Sequence, residues 1–522
     1  MRSSCAPPSS SSLTRRGLLR LGALGATGLA GALPRLARAQ TVAGPKDLVV
    51  GLSGDLSTFD PAFVVQTVDI SINFNIFDTL TARHADLKLH PQLATEWKSL
   101  SDTSWQFKLR RGVRFHNGDP LTARDVKFSI ERTYDPVANT RVATALNTID
   151  RIETPDDYTV SFITKRPDPL LPARLSIVGG QIIPAAHFTK VGADAFKSRP
   201  VGSGPLHLVE WVPGDHTTLK RFDGYWGDKC PFEQVLVKPM PETATRMAAF
   251  LAGEAHIVSK VPPDYLDRIK ASRRGRIESV PYQGLYVLAV NSKVPPLDNK
   301  LVKQALSWAI DRTTIIKTLY SDQGTSVNGA ILSGDFAYDA SLPPPGFDPA
   351  RAKELLRQAG YKQEPIILEG STNVINERAL AEAIMSMWRD VGVNARLEMI
   401  EMSVRGQKYR ERSFKGLWLA DPTDFMFDPD GMMWRLLGPK GLFDYWRQPE
   451  FDNLGDEARF SIDPALRQRN YRRMNQLLLE HLPWIPVMRP NELYGVANAI
   501  DWRPYGNQFI ELRGYNLKMR SS

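Results

Sequence analysis

Cysteine is nearly absent: Cys5 and Cys230 are the only two in 522 residues. Loss of an N-terminal leader would leave Cys230 alone, which excludes an internal disulfide, so stability has to come from packing. Long apolar runs are missing too. The stretch Leu21–Leu33 is too short to cross a bilayer, which takes roughly 20 apolar residues. No G-x-S-x-G, H-E-x-x-H, C-x-x-C or phosphate-binding G-x-x-x-x-G-K-[ST] occurs, and the eight histidines (84, 90, 116, 187, 207, 216, 256, 481) are scattered. These gaps remove the signatures of serine hydrolases, zinc peptidases and nucleotide-binding enzymes. We therefore expect no catalytic residues, no metal and no cofactor.

The net charge of +9 is misleading. Arg2, Arg15, Arg16, Arg20, Arg35 and Arg38 supply +6 within residues 1–39, which hold no acid. The remaining 483 residues (522 − 39) carry about +3 (9 − 6). That near-neutral balance argues against a nucleic-acid partner. Thr14-Arg15-Arg16-Gly17-Leu18-Leu19, the apolar run and Ala37-Arg38-Ala39 read as an export signal of twin-arginine type, cleaved after Ala39. The expected location is the periplasm. About 480 residues usually divide into two or three domains.

Residues 105–132, WQFKLRRGVRFHNGDPLTARDVKFSIER, hold seven Lys or Arg against three acids. Trp105, Phe107 and Leu109 alternate with polar residues, the period of a half-buried strand. Val113 and Phe115 suggest a second short strand, and Asn117-Gly118 a tight turn. Thr122 with Asp125 reads as a helix-capping pair, followed by Val126, Ile130 and Tyr134 at helical spacing. The basic residues fall on outward positions between core residues, so the segment reads as a solvated structural unit and not as an anion site. Together with PQLATEWKSL (91–100), this block resembles the signature of family 5 extracytoplasmic solute-binding proteins, the dipeptide and oligopeptide receptors of ABC importers.

The rest of the chain fits that resemblance from about 46 to 510. STFDPAF (57–63) and NIFDTLTA (75–82) look like the family's opening strand and first helix. VGSGPLHLVEW (201–211) enters a strand through Gly202 and Gly204, which permit a sharp turn, and Pro213-Gly214-Asp215 turns a hairpin. A helix within 240–258, ending at Gly253, would carry Ala244, Met247, Ala248 and Leu251 on one face. Residues 271–279 read as a basic surface loop. One helix over 301–320 is amphipathic through Val302, Ala305, Leu306, Ala309 and Ile310. Helices over 348–361 (capped by Asp348, stopped by Gly360), 378–393 and 466–482 follow, with strands after the last two. Alternating helix and strand argues for α/β layers, and 333–349 reads as an ordered surface loop.

The resemblance implies an α/β, two-lobed periplasmic binding-protein fold with a hinge and an extra subdomain in the first lobe. Lobe I would comprise 40–82, 196–283 and 490–522, the extra subdomain 83–195, and lobe II 284–489. It also implies a ligand site around KGLWLADPTDFMFDPDGMMWRLL (415–437). There Asp421 of Trp418-Leu419-Ala420-Asp421 would pair with a ligand ammonium through a charge-assisted hydrogen bond. Trp418 would give a flat wall, and Arg405 and Lys415 would neutralise a carboxylate. Tyr282 would add an aromatic contact at the first hinge crossing, and Trp434 lies in cleft or core. Pro422 directly after Asp421 departs from the family pattern, which leaves Asp424 and Asp428 as alternative anchors.

The expected function is a monomeric receptor that captures a di- or oligopeptide and hands it to an inner-membrane ABC permease. A non-peptide solute (glutathione, nickel chelate, opine or glycoside) is the alternative. A secreted hydrolase is the rival from another class.

Overall fold

The strand Trp484–Ala497 joins the two halves of one long sheet and organises the molecule. A computed structural model describes residues 47–520, except 65, 136–139, 141, 373, 425 and 440. The export segment and the cleavage after Ala39 lie outside the described residues.

On one side the sheet order is Leu206–Val212, His216–Arg221, Gln234–Pro239, Asp47–Leu52, Ile257–Val258 and Trp484–Ala497. Asp47–Leu52 is parallel to Gln234–Pro239 and to Ile257–Val258, and almost wholly buried. That explains its unbroken apolar run, since a parallel strand is covered on both faces. On the other side, Trp484–Met488 pairs with Tyr286–Val290, which continues through Leu417–Ala420 and Ile366–Gly370 to Ala395–Met399. Gly275–Pro281 pairs with Asn491–Ala497 and then leads into Tyr286–Val290. Two adjacent chain segments, 282–285 and 489–490, therefore cross between the lobes. Each lobe buries its own core: Leu48, Phe59, Leu206 and Trp502 in the first, Leu288, Leu306, Ile384 and Trp388 in the second.

A separate four-stranded antiparallel sheet, Ala94–Ser101, Ser104–Leu109, Thr159–Thr164 and Ile149–Asp156, packs the helix Ala123–Tyr134 over Phe107, Ile152 and Phe162. The Asp125 carboxylate accepts from Thr122 N at 2.9 Å and Thr122 Oγ1 at 3.0 Å, so the expected cap is present. Asn117-Gly118 is a turn, with Gly118 at φ +89°.

Several sequence expectations change. Val113 and Phe115 are core residues in a turn, not a strand; only the bridge Arg114–Pro120 forms. The first strand, Asp47–Leu52, precedes 57–63, and the first helix is Thr67–Ile76. The helix Thr243–Ala252 buries Arg246, Met247, Ala249 and Phe250, while Ala244 and Ala248 are exposed. Arg246 turns inward because its guanidinium donates to the carbonyls of Met240, Ser259 and Lys260. Residues 275–279 belong to a strand. The 301–320 segment is two helices, Lys300–Trp308 and Arg312–Tyr320, because Asp311 caps the second one through Thr314 N at 3.0 Å. Gly202 and Gly204 serve close approach: an added Cβ would stand 2.0 Å and 2.6 Å from the carbonyl oxygens of Ile76 and Asn75.

Candidate functional site

Tyr282 and Gln283 follow the strand Gly275–Pro281 at the first crossing, and Arg489 sits on the second. Arg489 is buried; its Nε donates to Tyr282 O at 2.6 Å and its Nη2 to Gln283 Oε1 at 3.1 Å. Gln283 Nε2 in turn donates to Asp335 Oδ1 at 2.5 Å, and Gln283 O accepts from Asp424 N at 2.9 Å. The 333–349 stretch is thus more than a surface loop, because its start anchors the crossing.

Asp421 stands directly after the buried strand Leu417–Ala420, partly exposed, beside this crossing. The Tyr282 hydroxyl bonds Thr423 Oγ1 and reaches Asp421 O at 3.4 Å. Burial, with the charge of Asp421 next, holds the Tyr282 phenol well above its ordinary pKa. Glu492, on the second crossing strand, is buried and accepts from Gln508 Nε2 at 2.5 Å. Burial raises its pKa, and the Asp421 charge acts in the same direction. Tyr282 is therefore held as a neutral phenol, with the charges of Asp421 and Glu492 both acting on it.

The two alternative anchors are engaged locally. Asp424 Oδ1 accepts from Met426 N at 2.8 Å and Oδ2 from Asp428 N at 2.7 Å. Asp428 pairs with Arg467 at 2.8 Å. Burial, then the neighbouring Asp335 charge, pushes Asp424 well above the usual carboxylate range, and burial lifts Asp335 to about 6.

The structure separates the remaining candidates. Trp418 is fully buried, stacked on Phe414 with centroids 4.1 Å apart, and its Nε1 donates to the Tyr409 hydroxyl at 3.0 Å. Arg405 is buried in the same layer; its guanidinium donates to Ser371 Oγ and Tyr409 Oη, each at 3.1 Å, and lies 3.9 Å from Glu377. Lys415 is on the surface, paired with Glu398 at 2.7 Å. Trp434 packs in the second-lobe core against Gly455. Tyr282 and Asp421 are brought together; Trp418 and Arg405 lie in a supporting layer, and Lys415 and Trp434 lie apart.

Sequence reasoning missed Glu492, Gln283, Asp335 and Arg83. A lone carboxylate within the apolar run of Trp484–Ala497 was the available signal for Glu492. Arg83 lies at the end of Thr81–Arg83, 4.7 Å above the Phe427 ring, and donates to Met426 O. Among the described residues no group of three or more His, Cys, Asp or Glu is placed to hold a metal.

Two lobes sharing crossed strands, with polar groups gathered at the crossing, define the class of hinged solute-binding proteins. The sequence matches the family described as bacterial extracellular solute-binding proteins, family 5, over residues 88–444, and the chain belongs to it. It is 26% identical over 456 residues to the glutathione-binding protein GsiB of Escherichia coli K12, covering 85% of this chain and 89% of that protein. Among solved structures, the dipeptide-binding protein of Pseudoalteromonas sp. SM9913 with Met-Leu superposes with a TM-score of 0.81 at 24% identity, covering 91% and 100% of the two chains. The agropinic acid complex of AgaA from A. tumefaciens R10 gives 0.79 at 26%, covering 91% and 99%. Proteins of this family are extracytoplasmic substrate-binding components of ABC importers.

Proposed function

We propose that this protein captures di- or oligopeptides between its lobes and delivers them, chemically unaltered, to an inner-membrane ABC permease. The observation that carries the reading is Asp421, held at the strand crossing beside Tyr282 and Glu492. A carboxylate in a water-poor cleft makes a strong charge-assisted bond to a peptide's α-ammonium group. Both lobes would contact the guest, so binding shifts an open–closed equilibrium.

In this reading lobe I is 40–82, 196–283 and 490–522, the extra subdomain 83–195, and lobe II 284–489. The protein works as a periplasmic monomer, exported by the twin-arginine route and cleaved after Ala39, and it engages no nucleic acid. A compact non-peptide solute is the second reading, favoured by the 26% identity to AgaA, whose complex holds agropinic acid.

Mass spectrometry of solute released from the purified mature protein separates the two: a mixture of peptides supports the first, one defined non-peptide compound the second. Asp421→Ala should abolish ligand-induced compaction in small-angle scattering. Unchanged compaction and affinity would remove Asp421 from the site.

A further inference from the structure

Two short hairpins stand outside the strand crossing: Thr81–Arg83 with Leu89–Pro91, and Ile500–Trp502 with Leu517–Met519. A cavity of about 390 Å³ lies between them, and its lining comes from residues 84–90 and 501–518 alone. That volume falls within the range of small-molecule pockets, about 300–1,000 Å³. Nothing from residues 284–489 contributes to it, so the cavity is separate from the site around Asp421.

Three stacked rings form one wall. His84 lies between His90 and Tyr515, with ring centroids 4.1 Å and 4.3 Å away and interplanar angles of 10° and 21°. Burial, then the neighbouring His90, lowers the His84 pKa to about 4, so the middle ring is uncharged at neutral pH. The outer rings are held by carboxylates: His90 Nε2 meets Asp86 at 2.9 Å, and the Tyr515 hydroxyl donates to the buried Glu511 at 3.3 Å. A stack ordered in advance loses little further freedom when a guest ring packs on it. Tyr515 remains 36% exposed, so part of this surface is open.

The charges of the lining are unevenly matched. Asp86 is taken by His90, and Asp501 lies 3.8 Å from Arg520. The side chains of Arg503 and Lys518 make no ion pair or hydrogen bond among the described residues. Solvated cations are ordinary on a surface; what distinguishes this pair is that it meets an uncharged aromatic wall at one cavity. We propose that this cavity is a second binding site, separate from the interlobe cleft, that takes a planar aromatic carboxylate. The guest ring packs against the Tyr515–His84–His90 stack, and its carboxylate pairs with Arg503 and Lys518. This site stands independently of the peptide reading above.

The test titrates the mature protein calorimetrically with three probes: 2-naphthoate, the neutral 2-naphthamide and the non-aromatic cyclohexanecarboxylate. The unaltered protein should bind 2-naphthoate at least about tenfold more tightly than either of the others. Arg503→Gln, at an exposed position, should bring the naphthoate-to-naphthamide ratio below about threefold. With the histidine rings isotope-labelled, 2-naphthoate should shift the NMR signals of His84 and His90 and leave those of His187 and His481 in place. Equal binding of the three probes, no binding of 2-naphthoate, or binding that leaves the His84 and His90 signals unmoved overturns the proposal. So does an unchanged ratio in Arg503→Gln. None of these outcomes touches the peptide reading, and the comparisons on the unaltered protein hold even where the variant fails to fold.

Discussion

Arg489 and Tyr282 join the two crossing segments: the Arg489 Nε donates to the Tyr282 carbonyl oxygen at 2.6 Å. The same guanidinium reaches Ser333 O at 3.0 Å and Gln283 Oε1 at 3.1 Å, so one side chain ties both crossings to the loop that carries Asp335. We predict that Arg489→Met lowers unfolding free energy by about 3 kcal/mol, because three acceptors lose a charged donor in a buried place. Denaturant unfolding measures this; a change within about 0.5 kcal/mol would show that the crossing does not depend on the side chain.

Stability should fall as pH rises through the window between the ordinary aspartate value and about 6. Burial lifts Asp335 to about 6, so the folded chain keeps a proton there that the unfolded chain has already released. Folding is then weakened as pH increases across that window, by up to about 3 kcal/mol for a shift of this size. Comparing unfolding at pH 4.5 and 7 for the natural chain and Asp335→Asn tests it. An unchanged pH dependence in the variant would assign the effect to other groups.

Trp418 and Lys415 should part company. Trp418→Ala opens a hole in the Phe414–Trp418–Phe443 stack and should cost about 3–5 kcal/mol. Lys415→Ala removes an exposed ion pair and should leave stability and ligand affinity unchanged. A large affinity loss on replacing Lys415, measured by calorimetry with a bound peptide, would return that residue to the site.

Gly202→Ala should destabilise the first lobe, because the new methyl would stand 2.0 Å from Ile76 O and 2.8 Å from the Phe77 ring. We expect a loss of at least about 2 kcal/mol, as for overpacked sites. A melting temperature equal to that of the natural chain would mean the helix end can retreat freely.

How far the sequence went can be judged element by element. Thr122 with Asp125, Asp348 with Gly360, and Pro213-Gly214-Asp215 are local signals, and each produced the expected cap, stop or turn. The helical face over 243–252 was misjudged because Arg246 finds four carbonyl acceptors on other segments, which outweigh the outward preference of a charge. Trp418 was read as a ligand wall, yet its surroundings come from Phe414, Phe443 and Tyr445, whose convergence depends on the loop that follows it.

By itself the sequence determined the α/β alternation and the caps, because those are set by periodicity and by residues three or four positions apart, and the blocks at 91–100 and 105–132 carried the resemblance to the family. Only the tertiary structure decided that Tyr282 meets Asp421, that the Asp421 charge acts on Glu492, and that Arg83 Nε is buried with no acceptor among the described residues. Those properties arise from desolvation and pairing between segments distant in sequence, such as Arg83 and Met426, and short-range pattern carries no information about them.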